Sequence, residues 1–315
     1  MKALVAHEYG PASQLTVEEV PDPEPGLGQV LVAIEAAALN PLDLRLVTGA
    51  ARDFQELEFP YIPGMDGAGT IAAVGPGVSR FVGGEEVFGF FGATPGTIAE
   101  LALIDDGPYL AARPGELHAV RAAAIPESAL TATSLLRAAG LQAGSTALVI
   151  GATGGIGMFL VQLAARDGAA VLATAGPEDS EYVRGLGATA ALDYRSTDII
   201  EETLRLYPDG VHAVFDLVNM GPALADSVRP LRPGGRLISP TGGPDAAGLG
   251  REDITVVYTG LNAHRDPGDL DQLGARVAAE VLAVEIGGVY MLENARQAFV
   301  DFADTHTRGK LVVTP

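Results

Sequence analysis

Residues 148–165 read LVIGATGGIGMFLVQLAA. They continue a short apolar run, TALVI (146–150), with the length and composition of a buried strand. Gly151, Gly154 and Gly157 follow at even spacing, with Gly155 between them. Ile156, Phe159, Leu160, Leu163 and Ala164 then recur at helical intervals, predicting an α-helix with one apolar stripe that stops at Gly168. A strand that turns on glycines into a helix has a mechanical use. The first glycine permits the tight turn, the middle ones let an anion approach the backbone, and the last lets the helix pack closely. The helix start adds free N–H groups and the positive end of its dipole. The same glycines would also serve a plain βα turn that binds nothing.

The flanking sequence decides between these readings. AVLATA (170–175), AALDY (190–194), VHAVFDLV (211–218), GRLIS (235–239) and ITVVY (254–258) are further strand-like runs, separated by helical or turn segments. Alternation of this kind predicts an α/β Rossmann domain, a doubly wound parallel sheet of order 3-2-1-4-5-6. The glycine turn is its first βα turn, the position that receives a dinucleotide.

Residues 1 to about 115 have a different rhythm. Alternating runs such as QVLVAIEAAAL (29–39), with Val30, Val32 and Ile34 on one face, GTIAAVG (69–75) and TIAELAL (97–103) are set off by turn clusters. The clusters are PDPEPGLG (21–28), GPGVSRFVGGEE (75–86) and GATPG (92–96). This pattern predicts an irregular, barrel-like, mostly antiparallel β-domain. The tail carries a helix (DLDQLGARVAAEVLA, 269–283), a strand (GGVYM, 287–291), a helix (LENARQAFVDFA, 292–303) and a final strand (KLVV, 310–313). The expected division is 1–118, 119–258, and a segment 259–315 that returns to the first domain.

Composition narrows the chemistry. The chain has 315 residues, 48% hydrophobic and 19% charged, which describes an ordered globular protein. A net charge of −20 argues against nucleic-acid and anionic-membrane surfaces. There is no cysteine, so thiolate nucleophiles, disulfides and Cys-ligated zinc are excluded. The five histidines, His7, His118, His212, His264 and His306, are not spaced like metal ligands. Neither a signal peptide nor a membrane span is expected, and a cytoplasmic location fits the cysteine count.

The end of the second strand bears on the choice of nucleotide. An NAD site usually carries an acid there. Here Thr174, Ala175 and Gly176 are neutral, and Glu178 and Asp179 come late, behind Pro177. That pattern favours NADPH over NADH. The nearest groups for a 2′-phosphate are Ser180, Arg184, Tyr194 and Arg195, residues of a kind more often plain helix or loop surface than ligand.

Several motifs together resemble the medium-chain dehydrogenase/reductase superfamily, in its zinc-independent quinone oxidoreductase-like branch. They are ALNPLDLRLVTG (38–49), PYIPGMDGAGTIAAVGPGVSRFVGGEEVFGF (60–90), ALTATSLL (129–136), the glycine turn, LGATAALDYR (186–195) and RGKLVV (308–313). The metal-binding branch would place a Cys and a Gly-His-Glu triplet where this chain has Asn40-Pro41-Leu42-Asp43 and Gly64-Met65-Asp66. The resemblance implies a GroES-like β-barrel catalytic domain plus a Rossmann domain, a cofactor cleft between them, and a homodimer. It implies Asn40 near the nicotinamide ribose or substrate, and Thr131 near the cofactor's pyrophosphate or amide. Cofactor contacts would come from Gly151, Gly154, Gly155, Ile156, Gly157, Thr174, Ser180, Tyr194, Asn219, Ser239, Thr241 and Lys310. The lysine common after the second strand is missing, with Ser180 roughly in its place. Asp43 and Asp66 read as structural acids bonded to local backbone. Tyr61 and Tyr258 are candidates to line a substrate cleft, with aromatic packing as the plainer reading. Loops near 40–60, 90–95 and 258–270 would shape that cleft.

The expected activity is NADPH-dependent, metal-free hydride transfer to a quinone or an α,β-unsaturated carbonyl. The alternatives are a zinc-independent alcohol or aldehyde dehydrogenase, and a non-catalytic NADPH-binding sensor or structural protein.

Overall fold

The computed structural model describes residues 1–53, 55–92, 96–260, 266 and 268–315. Residues 54, 93–95, 261–265 and 267 lie outside the described residues, so the segments expected to shape the cleft are described only in part. The chain forms two compact units, Met1–Glu127 with Pro267–Pro315, and Ser128–Asp266.

The first unit carries β1 (Lys2–Val5), β2 (Thr16–Glu19), β3 (Gln29–Ala38), α1 (Pro41–Val47), β4 (Asp66–Val74), β5 (Glu86–Phe90), β6 (Leu101–Asp105), β7 (Leu110–Ala112) and α2 (Ala119–Ala123). The second unit takes α3 (Pro126–Ala139), whose first two residues belong to unit 1. It continues with β8 (Thr146–Ile150), α4 (Gly155–Arg166), β9 (Ala170–Ala175), α5 (Ser180–Gly185), β10 (Ala190–Asp193), α6 (Ile199–Leu206), β11 (Val211–Asp216), β12 (Leu231–Ser239) and β13 (Thr255–Tyr258). The chain then returns to unit 1 with α7 (Asp269–Ala278), β14 (Ile286–Met291), α8 (Ala295–Asp304) and β15 (Lys310–Thr314).

The sheet of unit 1 runs β14-β15-β3-β4-β5-β7, with β6 also paired to β3, and β1 and β2 form a separate hairpin-like pair. All pairings are antiparallel except β14 with β15. Val30, Val32 and Ile34 point inward along β3, joining Leu4, Leu46, Ile98, Phe299 and Val313 in one core. The tail is integral to this sheet, because β15 lies between β14 and β3.

The sheet of unit 2 runs β10-β9-β8-β11-β12-β13, every neighbour parallel, which is the doubly wound order 3-2-1-4-5-6. Leu148, Leu172, Leu192, Val214 and Leu237 form its core.

Three elements depart from the sequence reading. All residues of α4 from Gly157 to Ala164 are buried, so Met158 and Val161 extend its apolar surface beyond one stripe. Gln162 survives there because its amide donates to Met158 O at 2.8 Å. Helix α7 stops at Ala278 instead of running to Ala283, because Glu280 turns to φ 56°. Glu280 N and Val281 N then satisfy the carbonyls of Val277 and Arg276, a Schellman closure. Residues Leu292–Asn294 form a 3₁₀ turn ahead of α8.

Candidate active site

The glycine turn lies between β8 and α4. Gly151 sits at φ +87°, and its N–H donates to Thr174 Oγ1 at 3.1 Å across the top of β9. At Gly157 a Cβ would stand 2.2 Å from Gly151 O and 2.7 Å from Ala152 Cα, so the helix approaches the turn too closely for any other residue. At Gly154, the N-cap, a Cβ would meet nothing nearer than 3.7 Å. With glycine as cap, the first-turn N–H groups of Gly155, Ile156 and Gly157 meet no side chain of the capping residue. A glycine cap with no side chain, a dipole end and bare backbone fit a dinucleotide pyrophosphate. Thr131 is buried in α3 of the same unit.

A polar network closes the ends of β11 and β12. Asp216 is fully buried and accepts from Val218 N (3.0 Å), Asn219 N (2.8 Å), Asn219 Nδ2 (2.8 Å) and Ser227 Oγ (2.5 Å). Thr241 Oγ1 donates to Asn219 O at 2.7 Å and lies 2.7 Å from Ser239 Oγ. The expected trio Asn219, Ser239 and Thr241 therefore forms one cluster. Asp216 and Ser227 hold it, and the sequence reading missed both. Their signal was an acid closing a strand three residues before Asn219.

At the end of β9, Ser180 Oγ donates to Gly176 O at 3.4 Å. Tyr194 is 45% exposed just beyond β10. Tyr258, at the end of β13, donates to Pro244 O at 2.7 Å and packs against the core of unit 2.

Unit 1 gathers a second, fully buried cluster at the end of β3. Ala38 pairs with Asp66 on β4, and Leu39 N bonds Leu311 O on β15, so Asn40, Asp66 and Lys310 converge. Asn40 Nδ2 donates to Asp66 Oδ2 at 3.0 Å, and Lys310 Nζ donates to Asn40 Oδ1. Lys310 Nζ also stands 3.6 Å from Asp66 Oδ2. Asp66 Oδ1 accepts from Glu127 N at 3.0 Å. Asp43 reaches back from the first turn of α1 to accept from Asn40 N (2.8 Å) and Gly64 N (3.2 Å), which fits its reading as a structural acid. Burial carries Asp43 up to about 7 against the backbone bond from Asn40, and Asp66 up to about 7 against the Lys310 charge.

Tyr61 is buried in the core of unit 1, and its hydroxyl meets no hydrogen-bond partner among the described residues. Burial first, then the Asp43 charge, push that phenol up. Lys310, expected at the cofactor, directs its ammonium to Asn40 and Asp66, in unit 1.

Asn40-Pro41-Leu42-Asp43 and Gly64-Met65-Asp66 stand where the metal-binding branch of the resembled superfamily would hold zinc, and this donor set does not fit it. Asp66 already serves an amide, a backbone N–H and an ammonium, and the chain has no thiolate. Among the described residues no three His, Asp or Glu side chains are grouped to hold a metal; His264 lies outside them.

Fold and site together define a two-unit α/β protein with a dinucleotide-type βα turn. Comparisons with known proteins carry the assignment further. Residues 26–111 match the alcohol dehydrogenase GroES-like domain, and residues 186–313 match the zinc-binding dehydrogenase family. A chloroplast envelope quinone oxidoreductase homolog of Arabidopsis thaliana is 32% identical over all of this chain and 98% of its own length. The NADPH-dependent alkenal/one oxidoreductase of the same plant is 30% identical, over all of this chain and 80% of its own length. The quinone oxidoreductase of Coxiella burnetii superposes with a TM-score of 0.89 at 26% identity, covering 100% of this chain and 99% of that one. The chain belongs to the medium-chain dehydrogenase/reductase superfamily, in its quinone oxidoreductase-like branch, and is an oxidoreductase.

Proposed function

We propose that this protein is an NADPH-dependent reductase that delivers a hydride to a quinone or an α,β-unsaturated carbonyl without a metal, as a cytoplasmic homodimer. The observation that carries the reading is the Gly151–Gly157 turn, whose backbone leaves room for a pyrophosphate at a helix start capped by glycine. Similarity along the whole of this chain to an NADPH-dependent alkenal/one oxidoreductase supports the substrate class and the nucleotide.

When bound, the reduced nicotinamide supplies the hydride. Gly155, Ile156 and Gly157 present their N–H groups to the pyrophosphate, and Thr174 keeps the turn on β9. Asn219, Ser239 and Thr241 offer an amide and two hydroxyls held rigid by Asp216. Asn40 has its amide committed to Lys310 and Asp66, so it acts as a positioning residue. Polarisation of the substrate carbonyl then falls to backbone N–H groups. Lys310 provides the buried positive charge beside Asp66, which supports a site that works without zinc.

The test is oxidation of NADPH and of NADH, followed by absorbance, with a panel of quinones and enones, with and without a chelator. Turnover that prefers NADPH and survives chelation is expected. Loss of activity on chelation would overturn the metal-free reading. NADP-dependent oxidation of alcohols with no enone reduction would favour the dehydrogenase alternative. Tight binding without turnover on any substrate would favour the sensor.

A further inference from the structure

Parallel pairing of Asp193 with Ala175 brings the exits of β10 and β9 side by side. Gly176 leaves one strand, and Tyr194 with Arg195 leaves the other. Glu178, in a 3₁₀ turn over Pro177–Asp179, folds back over the strand end. Both of its carboxylate oxygens lie 2.8 Å from where a Cβ on Gly176 would stand. Arg195 grips that carboxylate with both arms, Nη1 to Oε2 at 3.0 Å and Nη2 to Oε1 at 2.8 Å. The arginine is itself well placed. Its backbone N–H donates to Asp193 Oδ1 at 3.0 Å, and its guanidinium lies 5.5 Å from the centre of the Tyr194 ring.

We infer that Arg195 is the cation this chain presents to the 2′-phosphate of NADPH, and that Glu178 is an internal anion the phosphate must displace. The inference rests on the nicotinamide reading above. A planar guanidinium that binds a carboxylate in a two-armed grip is equally suited to a phosphate. The chain has only two lysines, Lys2 and Lys310, and both lie in unit 1. The next cation along, Arg184, is paired to Glu181 on α5 at 3.3 Å. Arg195 and Glu178 are each about half exposed, at 49% and 53%, so their bond contributes little and exchanges readily. Glu178 tempers the NADPH preference that Arg195 confers. A carboxylate at this strand end suits free ribose hydroxyls and repels a 2′-phosphate. Its removal should therefore shift the protein towards NADPH.

The test uses fragments that cannot turn over. Calorimetric titration of the full chain with adenosine 2′,5′-bisphosphate and with 5′-AMP measures the contribution of the 2′-phosphate alone. NADPH and NADH are titrated in parallel. E178Q is expected to bind the bisphosphate about three- to tenfold more tightly, with 5′-AMP unchanged. R195Q should weaken the bisphosphate about tenfold or more and leave 5′-AMP unchanged. In the double variant the E178Q gain should vanish, since no cation remains to be released. Added salt should erode the bisphosphate preference of the unsubstituted protein. If both single variants leave the bisphosphate-to-AMP ratio unchanged while NADPH and NADH still bind, this inference falls alone. If neither dinucleotide binds, the nicotinamide reading falls with it. Both side chains are on the surface, and matching circular dichroism spectra would confirm intact folds.

Discussion

Asp43 and Asp66 show how single residues couple this protein's fold to pH. Both are buried and rise from 3.8 to about 7, driven first by desolvation. A carboxyl raised on folding holds its proton in the folded state while the unfolded chain has lost it. The stability it contributes is full below pH 3.8 and is lost as pH rises through about 7. For one carboxyl this amounts to roughly 4 kcal/mol between the two ends. The urea midpoint should therefore fall between pH 5 and pH 8, and D43N should about halve that fall, leaving Asp66 to titrate. The slope is the readout, because an asparagine amide would turn an NH₂ towards one of the N–H donors that Asp43 now accepts. The expected roles at this scale divide by chemistry. Asp43 bonded to its own helix start is legible in NPLD. The ammonium of Lys310 on Asn40, 270 residues away, is not.

Elements carry the second set of consequences. The turn into α4 tolerates side chains unevenly, which local pattern alone cannot say. G157A would drive a methyl into the Gly151 carbonyl and should cost about 1–3 kcal/mol by chemical denaturation, with loss of dinucleotide affinity. G154A makes only an ordinary contact, 3.7 Å from Gly151 O, at φ −79°, and should cost no more than about 1 kcal/mol, the loss expected for alanine at an N-cap. The C-terminal cap of α7 provides the opposite case. Glu280 occupies the left-handed position of a Schellman closure where glycine is at ease. E280G should raise stability by about 1 kcal/mol, measured as a higher urea midpoint. Periodicity identified α7 but overran its end, because nothing in AAEVLA marks a stop except the backbone conformation Glu280 adopts. The α4 stripe was legible too, yet the burial of Met158 and Val161 depends on neighbours that periodicity does not see.

The whole molecule depends on the chain's return. Residues Lys310–Thr314 form β15, inserted between β14 and β3, and bring Lys310 to Asn40. A chain ending at residue 309 would leave β3 without that partner and Asp66 without its cation. It should be cut by protease within residues 1–127 under conditions where the full chain resists, as limited proteolysis with mass mapping would show. Across this scale, the two-unit plan, the parallel sheet order and the glycine turn were all determined by sequence alone. Each follows from local propensity: strand runs, helical periods, and glycines where the backbone must bend tightly. Pairing across distance was decided only in the tertiary structure. Lys310 with Asn40 and Asp66, Thr241 on Asn219, and Glu178 on Arg195 are contacts made where separate strands end together. No spacing rule encodes them, because strand order and register, not sequence separation, bring those side chains within hydrogen-bond reach.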